Sequence, residues 1–227
     1  MQQVLLLHGA LGSKDQFAGL EQALEPVLKT HAINFTGHGR VPSRHHAFTI
    51  QNFAHEVLDW MNSKQLMRAD IFGYSMGGYV ALWLARFYPG RVGKIFTLGT
   101  KLKWNREEAD KEIRYLQPDM VAEKIPAFAS ALAQRHGEHE WRSVMHKTAL
   151  MLHDLALHHL TDDDFERIAT TVRMARGSRD TMVTADEVQH AVSLMPDAVY
   201  VEYENVEHPI EKVPLDLLVS EMVDFFS

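Results

Sequence analysis

The chain has 227 residues, which suits one α/β domain with an insertion or at most two small domains, and 46% of them are hydrophobic, enough for a large core. It contains no cysteine, which excludes disulfides, thiolate metal sites and a cysteine nucleophile. A net charge of −7 without a basic stripe argues against a nucleic-acid partner, and no apolar run is long enough for a signal peptide or a membrane span.

The expectation is therefore a soluble, cytoplasmic protein, with no oligomeric state implied. Residues 4–7 read as a short buried strand, followed by the glycine-punctuated loop His8-Gly9-Ala10-Leu11-Gly12-Ser13. Ser13 to Gln16 form a capping box that opens a helix to about Lys29, with Pro26 near its end. Residues 31–35 make the next strand, closed by Thr36-Gly37-His38-Gly39-Arg40; the third glycine of a dinucleotide-binding loop is replaced by Pro42. Thr49 caps a helix to about Lys64. Residues 69–73 form an apolar strand and residues 80–88 an amphipathic helix stopped by Pro89-Gly90, and Gly73-Tyr74-Ser75-Met76-Gly77 lies between them. Residues 94–98 are another buried strand.

The rhythm then changes. No strand-like run occurs between about Thr100 and Thr170, and four helices are expected there: one capped by Asn105, one from Pro118 to Gly137, one over 138–160 and one capped by Thr161. Strand residues 172–175, a helix opened by Thr184-Ala185-Asp186-Glu187, strand residues 198–203 and a helix from near Pro214 to Phe226 complete the chain. Alternating strands and helices call for an α/β fold, a mostly parallel sheet flanked by helices. Residues 1–100 and 171–227 are read as its core and 101–170 as an inserted helical cap.

A serine in a tight strand-to-helix turn needs small neighbours, and the helix behind it aims free N–H groups at any negative charge formed there. Serine is a weak nucleophile without a base, and the base needs an orienting group. Asp180 and His208 follow later strands. In a parallel sheet all strand carboxyl ends share one edge, so Ser75, Asp180 and His208 converge on it. Oxyanion donors are expected from the backbone of Met76 and of Ala10, with Leu11 as the rival to Ala10.

His8-Gly9, Gly37-His38-Gly39, Gly73-Tyr74-Ser75-Met76-Gly77-Gly78, Gly177-Ser178-Arg179-Asp180 and Glu207-His208-Pro209 together resemble the α/β-hydrolase superfamily. The resemblance covers about residues 1–100 and 171–227. It implies an acyl-serine intermediate, no cofactor, and a cap that selects the small-molecule substrate; the resulting expectation is a serine hydrolase of a small or medium carboxylic ester or thioester. Leu11, Tyr74, Trp104, Phe128, Trp141 and Met145 are the expected pocket residues. Three departures stand out: Asn34-Phe35-Thr36 replaces an aspartate-containing strand end, the leading hairpin is missing, and Tyr79 stands where menaquinone-pathway lyases of this fold often carry arginine. A lyase or C–C bond hydrolase on the same triad is the alternative, favoured if Arg40, Arg44, Lys101 or Lys103 reaches the pocket; a non-catalytic ligand-binding member is another. The histidine-rich cap invites a metal, yet the His-Glu-x-x-His signature is absent at His139-Glu140, so no metal site is assigned.

Overall fold

The computed structural model describes residues 3–43 and 47–227. Six strands, Gln3–Leu7 (β1), Lys29–Ile33 (β2), Ala69–Tyr74 (β3), Val92–Leu98 (β4), Val172–Gly177 (β5) and Ala198–Tyr203 (β6), form one sheet in the order β2-β1-β3-β4-β5-β6. Every neighbouring pair is parallel. The inner strands are apolar on both faces because both are covered. Leu5, Leu7, Ile71 and Ile95 belong to one hydrophobic cluster, whereas Val4, Leu6, Phe72 and Phe96 belong to the other. Helices Ile50–Ser63 (α2), Met76–Phe87 (α3) and Ala185–Leu194 (α9) contribute to the first cluster; Ala18–Leu24 (α1) and Leu215–Phe226 (α10) contribute to the second.

Five helices separate β4 from β5: Arg106–Ile113 (α4), Pro118–Lys124 (α5), Pro126–His136 (α6), Glu140–Leu157 (α7) and Asp162–Glu166 (α8). The single helix expected over 118–137 is broken at Ile125. Pro126 has no N–H to donate, and its ring disfavours helical backbone at the residue before it, where φ is −135°. The first helix stops at Leu24, two residues before Pro26, whose missing N–H cannot continue the ladder although Glu25 keeps helical backbone, and β2 starts at Lys29 rather than residue 31. Its pairing ends where β1 ends, at Leu7 opposite Ile33. Buried Glu187 fastens the start of the helical block to α9, accepting the Leu102 N–H at 2.8 Å. Among the described residues, no helix is long and apolar enough to cross a membrane.

Candidate active site

Ser75 joins β3 to α3 with φ 51° and ψ −116°, a conformation that costs a residue with a side chain about 1–3 kcal/mol. The surroundings enforce it. A Cβ on Gly77 would lie 2.1 Å from the Leu7 carbonyl oxygen, and one on Gly73 would lie 2.4 Å from the Gly78 backbone. The Ser75 N–H donates to the Leu98 carbonyl at 2.9 Å, and its own carbonyl accepts from Thr100 Oγ1 at 3.0 Å. The hydroxyl is thereby presented at the carboxyl edge of the sheet.

Asp180 sits in the turn that follows β5, its N–H bonded to the Gly177 carbonyl at 3.0 Å. The carboxylate is buried. Oδ1 accepts the N–H groups of Met182 and Val183 at 2.8 and 3.0 Å, and Oδ2 accepts His208 Nδ1–H at 2.7 Å. Burial pushes this carboxyl up, but the His208 hydrogen bond and charge together with the two amides outweigh it and hold it below the ordinary aspartate value. Arg176 braces the same loop through the carbonyls of Val183 and Asp180, at 3.1 and 3.2 Å. Because the carboxylate can only accept, the His208 proton resides on Nδ1 and Nε2 is left as the basic nitrogen.

His208 lies beyond β6, and Tyr74 donates its hydroxyl to the His208 carbonyl at 3.1 Å. Gly99, with φ +62°, completes the seat: a Cβ there would come within 3.3 Å of the imidazole and 3.4 Å of Asp180 Oδ2. The sequence offered no motif for this glycine; its position directly after the fourth apolar strand was the available signal.

The loop after β1 approaches the serine from the other side. A Cβ on Gly9 would lie 3.1 Å from the Ser75 Cβ, so glycine lets the loop backbone close on the hydroxyl. His8 is fully buried, with Nδ1 donating to the Gly9 carbonyl at 2.8 Å and Nε2 accepting the Phe35 N–H at 3.3 Å. Asn34, which replaces the expected acidic strand end, accepts the Lys14 N–H at 2.7 Å and donates to the Gly39 carbonyl at 3.3 Å.

A cavity of about 720 Å³ opens between the sheet edge and the helical block, and Ser75, His208, Met76, Ala10 and Leu11 all line it. Tyr74, Trp104 and Phe128 line it as well. Its apolar wall is built by Ile50, Met151, Leu152 and Leu155, while Lys101, Lys111, Glu112 and Arg114 supply charge. Trp141 and Met145, expected on this wall, are buried elsewhere, at 6% and 0% exposure. They occupy the N-terminal half of α7 and belong to the same hydrophobic cluster as Leu5 and Ile71; the cavity meets the helix from Thr148 onward. Tyr79 lines the cavity, and its hydroxyl accepts the Leu160 N–H at 2.7 Å, tying α3 to the block.

Of the basic residues weighed for an acidic substrate, Lys101 reaches the cavity, where it pairs with Glu108 at 2.9 Å. Arg40 instead donates to the Gln134 carbonyl, and Arg44 lies outside the described residues. Burial raises the Glu112 carboxyl. Among the described residues, no group of three or more histidine or acidic side chains is placed to hold a metal ion.

The family profile for the alpha/beta hydrolase fold matches residues 3–152, about two thirds of the chain, and the chain belongs to this family. A pimeloyl-[acyl-carrier protein] methyl ester esterase of Neisseria meningitidis is 33% identical over 92 residues, covering 40% of this chain and 34% of the relative. A putative 2-succinyl-6-hydroxy-2,4-cyclohexadiene-1-carboxylate synthase of Bacillus subtilis is 28% identical over 133 residues, covering 56% and 48%. Such matched stretches span between 24% and 48% of the curated relatives. The crystal structure of an enol-lactonase from Burkholderia xenovorans LB400 superposes with a TM-score of 0.79 at 19% identity, covering 99% of this chain and 90% of that one, a likeness of fold.

Proposed function

We propose that this chain is a serine hydrolase acting on a small or medium carboxylic ester or thioester through an acyl-serine intermediate. The observation that carries this reading is a strained serine at a helix start sharing one cavity with a histidine whose Nδ1 is fixed by a buried carboxylate at 2.7 Å. In this mechanism Ser75 Oγ attacks the carbonyl carbon and its proton passes to His208 Nε2. Asp180 stabilises the imidazolium, and the N–H groups of Met76 and of Ala10 or Leu11 stabilise the oxyanion. The carbonyl–oxygen or carbonyl–sulfur bond then breaks as His208 returns the proton to the leaving alcohol or thiol. A water deprotonated by the same histidine releases the acid.

The test is covalent. A fluorophosphonate probe is expected to add at Ser75 alone, read by peptide mass spectrometry; an adduct on another serine, or none with the folded protein, overturns the assignment. The second reading, cleavage or formation of a C–C bond on the same triad, is favoured by the cations on the cavity wall and by the similarity to the putative synthase of Bacillus subtilis. It predicts poor turnover across simple esters despite full labelling of Ser75.

The helical block acts in this reading as a cap that selects the acyl group. Apolar burial contributes about 25 cal/mol per Å², and one methylene shifts preference by about 1–3 kcal/mol. Leu152→Trp, which fills the apolar wall, is expected to change chain-length preference among p-nitrophenyl esters about tenfold or more, while a small phosphonate still labels Ser75. Equal loss of turnover at every chain length would move the acyl site elsewhere.

A further inference from the structure

Leu11 is one of five non-glycine residues with positive φ among the described residues, at 57°. Its carbonyl accepts two hydrogen bonds, both from the last two residues of α6: Arg135 Nη1 at 2.8 Å and His136 Nε2 at 3.0 Å. The other edge of the same peptide is also fixed, because the Gly12 N–H donates to the Gly9 carbonyl at 3.0 Å. That peptide plane is therefore pinned on both sides, in a loop whose Ala10 and Leu11 line the cavity beside Ser75.

His136 has no freedom to act otherwise. The ring is 1% exposed, and Nδ1 accepts the Gly39 N–H at 3.1 Å, so Nε2 carries the proton that reaches Leu11. Arg135 extends the connection, its guanidinium lying 3.6 Å from Glu211, in the short turn that follows His208. Glu211 in turn accepts Gln16 Nε2 at 2.7 Å. Two consecutive residues of the helical block thus grip the loop from which an oxyanion donor is drawn, more than a hundred positions away in the chain.

We propose that Arg135 and His136 are positioning residues for the oxyanion loop, so that seating of α6 on Leu11 sets the backbone geometry the reaction requires. The proposal rests on the acyl-serine reading above. It gives the helical block a part in turnover separate from lining the acyl pocket. A strained loop left without these bonds relaxes toward ordinary backbone angles, and a donor displaced by about 1 Å loses on the order of 10²-fold in rate.

The experiment uses the full chain with p-nitrophenyl acetate and hexanoate. His136→Phe keeps the ring volume and removes both hydrogen bonds; Arg135→Met keeps the stem and removes the charge. Each is expected to lower kcat about tenfold to a hundredfold with KM within about twofold. His136→Gln can accept from Gly39 with Oε1 and donate to Leu11 with Nε2, and is expected to recover most of the rate. Affinity for a trifluoromethyl ketone, which forms an oxyanion on Ser75, should fall in proportion to kcat/KM. Affinity for the product acid should not change. If glutamine is as damaging as phenylalanine in a folded protein, or if ketone affinity stays while kcat falls, the proposal fails. Should His136→Phe not fold, the partly exposed Arg135→Met variant decides by the same two measurements. A wild-type protein that neither labels at Ser75 nor turns over esters refutes the acyl-serine reading instead, which these variants do not address.

Discussion

Asp180→Asn is expected to lower kcat by about 10⁴ while leaving the fold intact. The geometry gives the reason. Oδ1 accepts the amides of Met182 and Val183, so the asparagine oxygen keeps that side and its NH₂ group turns toward His208. Nδ1 must then accept, the ring proton moves to Nε2, and in the cavity it shares with Ser75 the imidazole offers a donor and no lone pair for the serine proton. Two measurements check this: kcat on a p-nitrophenyl ester, and a thermal unfolding curve within a few degrees of wild type. A variant within tenfold of wild type would mean that another group orients the base.

The second large effect is on stability in mild acid. His8, His38 and His136 form a buried file, with ring centroids 5.1 and 5.6 Å apart along it. Burial lowers His8 and His136 to about 4, and pushes His38 well below its ordinary value. Unfolded histidine titrates near 6.5, so between about 6.5 and 4 the unfolded chain binds more protons than the folded one. The contribution of these groups to stability is therefore complete above about 6.5 and declines as pH falls. His8 and His136 each cost about 1.4 kcal/mol per pH unit, or roughly 3 kcal/mol by pH 4, against a total stability of about 5–15 kcal/mol, and His38 acts in the same direction. Depressed carboxylates such as Asp180 add their own loss only below the ordinary carboxylate range, and the raised Glu112 works weakly in the opposite direction. Urea midpoints are expected to drop steeply from pH 6.5 to 4.5, with a shallower slope in His136→Gln. A midpoint independent of pH across that window would show that these histidines are charged when folded.

The residues of the proposed triad were legible because their signals are local. Ser75 stands between glycines at a strand-to-helix boundary, and Asp180 and His208 each follow an apolar strand, so parallel topology alone brings them to one edge. What escaped is tertiary. No spacing rule connects His136 to Leu11, or Tyr74 to the carbonyl of His208. His8 and His38 looked like isolated members of separate glycine loops, and only the packing of α6 turns them into a file with His136. Pro126 carried its own signal, a ring unable to continue a helix, and the apolar run across it hid the break. Trp141 and Met145 share an apolar side with Leu152 and Leu155, and periodicity cannot say where along that side a cavity begins.

The crowding around Ser75 has a consequence for reading descent. Gly73 and Gly77 are demanded by backbone atoms at 2.4 and 2.1 Å, whether or not any bond is ever cleaved. A lineage that abandoned chemistry would keep both glycines for folding alone, so their persistence among descendants carries no news of turnover. The residue between them is different. Its left-handed backbone suits glycine or asparagine better than serine, and with catalysis no longer under selection drift would carry position 75 toward those two first. In this chain the informative letter is the one the fold tolerates least.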